Sequence, residues 1–214
     1  MPDDVARALA LQGPAGAAAR ARLETYVAAL AKWQKRINLI GPATVAEVWR
    51  RHVLDCGQLA ALMPVPPVRV CDLGSGAGLP GLVLAAMGVG EGQGGGLDLV
   101  ESDARKAAFL REANRLMGAH ARILNRRIEE VAGREAAPYD VVTARALAPL
   151  PKLLDLAENL LKTGGKLLFL KGRGADAELT ESEKTWKMRV TKTPSASDAE
   201  GVILLIEDLE KRHG

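Results

Sequence analysis

Asp72-Leu73-Gly74-Ser75-Gly76-Ala77-Gly78-Leu79-Pro80-Gly81 sets an acid and closely spaced glycines between two apolar runs, Val68-Arg69-Val70-Cys71 and Leu82-Val83-Leu84-Ala85-Ala86-Met87. Glycine permits left-handed backbone and close approach to a ligand. A helix starting after such a turn offers free N–H groups and a positive dipole end to a polar or anionic group. The chemistry this suits is the holding of a nucleotide-like ligand. Asp72 stands where it can meet an amino group. Glu101, closing the next apolar run, is placed to accept both hydrogen bonds of a ribose diol. Arg145 closes a further run and is placed to bind phosphate, orient a base or pair with an acid. Cys56 and Cys71 form neither a disulfide framework nor a zinc set, so no metal is expected.

These residues need strands and helices to hold them. From residue 66 onward the sequence alternates: strands at 69–73, 97–100, 122–124, 139–143 and 166–170, with helices at 80–87, 103–117, 128–134, 151–161 and 175–184. Lys162-Thr163-Gly164-Gly165 reads as a helix stop. Strands at 186–191 and 202–207 follow without a helix between them. Such alternation predicts a Rossmann-like α/β fold, with a seven-stranded, mostly parallel sheet and an antiparallel last strand. Residues 1–65 read as an N-terminal helical extension, with helices at 18–37 and 45–62, and residues 66–214 as the main domain. Met63-Pro64-Val65-Pro66-Pro67 is a stiff joint between them. The 214 residues are 48% hydrophobic and 3% aromatic, which suits a globular core built of Ala, Leu and Val. Asp3 and Asp4 stand where a signal peptide carries basic residues, and no apolar run is long enough to span a membrane. A cytoplasmic protein is expected. No coiled-coil stripe argues for more than a monomer.

Two ligands compete for the turn. Gly76-Ala77-Gly78-Leu79-Pro80-Gly81 matches the dinucleotide pattern G-x-G-x-x-G, which points to an oxidoreductase. Asp72 to Gly78 fits D-x-G-x-G-x-G, the turn of S-adenosylmethionine-dependent methyltransferases. The acid before the first glycine, the consecutive final strands and the small domain favour the second reading. Arg105, Lys106, Arg111, Arg115, Arg122, Arg126 and Arg127 face only one acid, Glu112, within their span. Such a stretch is either a solvated face or a phosphate-contacting surface. An RNA-binding assembly factor without turnover is therefore a further reading. No Asn/Asp-Pro-Pro-aromatic motif follows the fourth strand, as an adenine amine acceptor requires, and no cysteine stands there for cytosine C5. A lone-pair nucleophile such as guanine N7 needs no general base.

Taken together, the motifs resemble the ribosomal RNA small-subunit methyltransferase G family, also called glucose-inhibited division protein B. The resemblance runs through Trp33 with Asn38-Leu39-Ile40, Arg51-His52-Val53-Leu54-Asp55, Asp72 to Gly81, Glu101-Ser102, Phe109-Leu110, Arg127-Ile128-Glu129-Glu130, Arg145-Ala146 and Leu170-Lys171-Gly172. Cys56 and the glycine-rich loop at 90–96 depart from it. The resemblance implies a class I S-adenosylmethionine-dependent methyltransferase acting on guanine N7 of 16S ribosomal RNA, in free RNA or in the small subunit. It implies cofactor contacts at Gly74 and Leu79, with Ile128 and Glu129 beside the adenine and Arg145 at the site. With the turn and ribose readings, the expected cofactor set is Asp72, Gly74, Gly76, Gly78, Leu79, Glu101, Ile128, Glu129 and Arg145. Arg145 is also the candidate catalytic residue, through substrate orientation. The expected RNA contacts are Arg51, His52, Arg111, Arg115 and Lys171.

Overall fold

The computed structural model describes residues 1–11, 13–132 and 139–212. Strands β1 (Arg69–Leu73), β2 (Gly96–Val100), β3 (Arg122–Leu124), β4 (Tyr139–Arg145), β5 (Leu161–Lys171), β6 (Trp186–Pro194) and β7 (Val202–Lys211) form one sheet in the order β3-β2-β1-β4-β5-β7-β6. β1 to β5 pair in parallel, and β7 runs antiparallel to both of its neighbours. The expected topology is therefore present. β1 carries no exposed residue, as a central strand covered on both faces requires.

Helices cover both faces. α1 (Asp3–Ala8), α2 (Gly13–Gln34), α4 (Gly81–Ala86) and α5 (Ala104–Met117) share one apolar cluster with β1 and β2, while α7 (Leu150–Ala157) and α8 (Ala175–Ser182) contribute to a second cluster with β4 and β5. α5 shows why these residues form a helix. Asp103 caps it, its carboxylate accepting from the N–H groups of Arg105 and Lys106, and Gly118 ends it in the left-handed region. Its buried stripe of Ala107, Leu110, Ala113 and Met117 recurs at helical spacing. Phe109 meets Trp33 of α2 edge-on at 5.9 Å.

Three expectations need correction. The single helix expected over 45–62 is a π-helical turn, Trp49–Leu54, followed by α3 (Asp55–Gly57) and a 3₁₀ turn, Gln58–Leu62. Residues 52 to 57 are buried without a break, which no one-faced amphipathic helix achieves, and changing the winding turns successive side chains inward. The helix stop at Lys162-Thr163-Gly164-Gly165 instead belongs to β5, where the register slips between Tyr139 and Val141 of the partner strand and Gly164 is left-handed (φ +74°). Glycines mark a bulge here rather than a cap. The helix expected over 18–37 starts earlier and ends at Gln34, whose side chain bonds the backbone of Leu39 and Ile40. α6 is described as Ile128–Ala132; the rest of the helix expected to residue 134 lies outside the described residues.

Candidate functional site

β1 delivers Asp72 to the sheet's carboxyl edge. The carboxylate is fully buried, with Oδ1 accepting from Thr143 Oγ1 (2.8 Å) and Oδ2 from the Gly81 N–H (3.1 Å). Asp72 thus ties β1 to β4 and to the start of α4. Burial pushes its pKa up from 3.8 to about 6; the Glu101 charge adds to this and the hydrogen bonds oppose it. The turn it anchors runs through Gly74 (φ +61°) and Gly76 (φ +52°), conformations open to glycine. A Cβ on Gly74 would meet Leu147 at 2.5 Å, whereas one on Gly76 would meet nothing nearer than the Gly74 carbonyl at 3.7 Å. Gly78 and Gly81 serve packing: a Cβ there would strike Leu82 at 2.6 Å or Asp72 at 2.7 Å. The N-terminal segment also holds the turn, since buried Tyr26 of α2 donates its hydroxyl to the Ala77 carbonyl at 2.7 Å.

Gly74 and Gly76 open onto a cavity of about 340 Å³ that also includes Glu101, Ile128, Glu129 and Leu147. Glu101 accepts from the Gly76 N–H (2.8 Å) and the Asp103 N–H (2.7 Å), one on each oxygen. Each carboxylate oxygen keeps acceptor capacity for a diol. Lys106, Arg126, Arg127 and Lys152 add positive charge to this lining. Five of the expected cofactor residues thus meet around one cavity. The other four do not line it. Asp72 and Leu79 are buried behind the turn, Gly78 packs on Leu82, and Arg145 faces elsewhere.

Arg145, the last residue of β4, lines an adjoining cavity of about 260 Å³ with Arg51, Asp55, Lys171, Ser197 and Asp198. Ala146 borders both cavities and is itself left-handed (φ +51°). The guanidinium is fixed on three sides. It donates to Asp55 Oδ2 (2.9 Å), to His52 Nδ1 (3.0 Å) and to the Arg51 carbonyl (3.0 Å). A guanidinium carries five N–H groups, so donors remain for a ligand. His52 is buried, and its Nε2 meets Thr44 Oγ1 at 2.8 Å. Since Thr44 Oγ1 donates to the Gly41 carbonyl, the Nε2–H tautomer completes the chain. Burial, then the Arg145 charge, lower the His52 pKa to about 4. Both ring nitrogens of His52, expected among the RNA contacts, are thus bonded inside the chain. Lys171 Nζ is held by Glu178 (2.6 Å) and the Ala148 carbonyl (3.0 Å).

The basic stretch divides. Arg122 forks onto Asp98 at 2.9 and 2.6 Å, Arg115 pairs with Glu112 at 3.0 Å, and exposed Arg111 has no ion-pair partner among the described residues. Arg111 and Arg115 lie on α5 outside both cavities. Among the described residues no group of three or more His, Cys, Asp or Glu is arranged for a metal ion, and no helix is long and apolar enough to cross a membrane.

Residues 19–203 match the family model of rRNA small subunit methyltransferase G. The chain belongs to the rRNA small subunit methyltransferase G family. A member from Paramagnetospirillum magneticum is 50% identical over 190 residues, covering 89% of each chain. Among solved structures, the L11 methylase of Lactobacillus delbrueckii superposes with a TM-score of 0.56 at 15% identity, over 74% of this chain and 77% of that one. A T. thermophilus 16S rRNA methyltransferase solved with AdoMet and guanosine has a TM-score of 0.52 at 17% identity, over 75% and 40% of the two chains. At those identities the likeness is one of fold, and it identifies the α/β architecture as that of class I methyltransferases. Within the methyltransferase G family fold, sequence reasoning missed Ser197, Asp198 and the role of Asp55. Ser197 and Asp198 reach the Arg145 cavity through the β6–β7 connection, and Asp55 reaches Arg145 from α3, so no local motif joins them.

Proposed function

We propose that this chain transfers the methyl group of S-adenosylmethionine to N7 of a guanine in 16S ribosomal RNA, within the small subunit or its free RNA. The observation that carries the reading is the pair of cavities meeting at Ala146, one glycine-lined with a ribose-ready carboxylate, the other holding a fixed guanidinium. The relatives' name supports the class of reaction and the rRNA substrate.

The first cavity fits the cofactor. Gly76 leaves open the space that any side chain would fill, Glu101 suits the ribose diol, and Ile128 and Leu147 offer apolar surface for an adenine. S-adenosylmethionine supplies an electrophilic methyl on a sulfonium sulfur when bound. Guanine N7 bears an in-plane lone pair and no hydrogen, so no proton has to leave and no base has to take one. The residues act by placement. Arg145 is held rigidly enough to orient a base, and Arg51 stands beside it to meet phosphate. A paired base could not reach this recess, so the target enters unstacked.

Labelled methyl transfer to 30S particles, followed by mass mapping of the product nucleoside, tests the proposal. The expected product is 7-methylguanosine. Label on an adenine or a ribose overturns the N7 assignment. Calorimetry with S-adenosylhomocysteine and NAD tests the cofactor, and binding of NAD alone would refute it.

A further inference from the structure

The second cavity carries three carboxylates besides its cations: Asp55, Glu178 and Asp198. Two of them are engaged by the chain itself. Asp55 Oδ2 accepts from Arg145, and Oδ1 accepts from Ser195 Oγ (2.9 Å), Ser197 Oγ (2.7 Å) and Gln58 Nε2 (3.3 Å). Glu178 is neutralised by Lys171 and also accepts the Leu150 N–H. Asp198 differs. Its Oδ1 accepts from the Glu200 N–H (3.0 Å), while Oδ2 has no hydrogen bond among the described residues. The nearest cation to that oxygen, Arg51 Nη2, stands 4.0 Å away, beyond hydrogen-bond length.

The loop presenting Asp198 is not left to find its own position. Ser195 and Ser197 are bonded to Asp55, and the Ala196 N–H donates to Gln58 Oε1 (2.9 Å). The Gly201 N–H closes a turn on the Asp198 carbonyl (3.0 Å). The same Asp55 that fixes Arg145 thus fixes the loop facing it.

A guanine that offers N7 to one side presents O6 next to it, and N1–H and N2–H₂ on its far edge. O6 asks for a donor and the far edge for an acceptor pair. Arg145 and Asp198 supply these in one cavity. We propose that Asp198 is the specificity-determining residue that accepts the N1–H and N2–H₂ groups of the target guanine. The proposal rests on the guanine-N7 reading given above. Adenine would set an unprotonated N1 against this carboxylate, so the same residue rejects it. Methylation at N7 also leaves the base cationic, which makes N1–H a stronger donor. The hydrogen bond therefore strengthens as the methyl arrives, and its loss falls on kcat more than on KM.

The test is a chemical double-mutant cycle in 30S particles whose target nucleotide is guanosine or inosine, which keeps N7, O6 and N1–H but lacks the N2 amine. Wild type should lose about tenfold in kcat/KM on inosine, and Asp198→Asn about twofold or less. On guanosine, Asp198→Asn should lower kcat about 10- to 100-fold with little change in KM. S-adenosylhomocysteine affinity, measured by calorimetry, should stay at the wild-type value, which also reports that the fold is intact. Asp198→Ala repeats the cycle without the amide. Equal inosine penalties in wild type and both variants, with normal wild-type transfer to guanine, overturn this proposal alone. Transfer by wild type to another atom or base overturns the function and this assignment with it.

Discussion

Asp72 and His52 are buried groups whose proton affinities are displaced in opposite directions. Burial first, and the Glu101 charge with it, holds Asp72 at about 6 against an ordinary 3.8. Between these values the folded chain keeps a proton that the unfolded chain has released, so stability falls as pH rises. Burial and the Arg145 charge hold His52 at about 4 against 6.5. There the unfolded chain binds a proton that the folded chain lacks, so stability rises with pH. In wild type the two slopes oppose one another between about pH 4 and pH 6. Asp72→Asn removes one, and its stability relative to wild type should climb by about 3 kcal/mol across that window. His52→Gln, which can still bond Thr44 and Arg145, should fall by a similar amount. Urea unfolding at intervals across the window checks both; three parallel pH profiles would refute the argument. A second residue-scale prediction concerns Gly76. Its φ of +52° and its open side toward the cavity mean that Gly76→Val strains the backbone and fills the cofactor's space together. S-adenosylhomocysteine affinity should drop about tenfold or more, with stability lowered by only about 1–2 kcal/mol.

At the scale of elements, α2 reaches the site through one hydroxyl. Tyr26→Phe leaves the Ala77 carbonyl buried without its donor, at a cost of about 1–3 kcal/mol. The loss should appear in thermal unfolding and again as weaker cofactor binding, because that carbonyl belongs to the turn. Unchanged cofactor affinity would mean that the turn holds itself. The helix expected over 18–37 contains Tyr26, but nothing in it points to the turn, since a bond spanning residues 26 and 77 has no local signature. The same limit runs through the site. The glycine turn, its acid and the Glu101 strand end were legible because each is a short pattern with a local cause. The π-helical turn at Trp49–Leu54 was not, because burial from several sides sets its winding. Nor was the joining of Asp55 to Ser195 and Ser197, which depends on β7 inserting between β5 and β6. Arg145 was expected just beyond a strand ending at 143, whereas β4 runs through it, and the left-handed Ala146 separates it from the glycine cavity.

For the whole molecule, a net charge of +3 is too small to explain rRNA binding by bulk attraction, so the arrangement of the charges has to carry it. Arg122 belongs to a partly buried pair with Asp98, and Arg115 is partly balanced by Glu112. Exposed Arg111, one turn from Arg115 on the outer face of α5, has no such balance among the described residues. If this face meets phosphate, Arg111→Glu should weaken 30S or rRNA binding more than Arg115→Glu. The slope of log K against log salt should become shallower by roughly 0.7–0.9 for each phosphate no longer neutralised. Reversing Arg115 sets a second carboxylate beside Glu112, so its effect mixes weaker phosphate binding with helix destabilisation; Arg111 is the cleaner probe. Filter binding between about 50 and 200 mM salt spans the range in which the slope is readable. S-adenosylhomocysteine affinity should stay constant in both variants, because neither arginine lines a cavity. An unchanged slope in Arg111→Glu would make the outer face of α5 an ordinary solvated surface, and would leave Arg51 and the cations beside the glycine cavity as the groups that meet the RNA backbone.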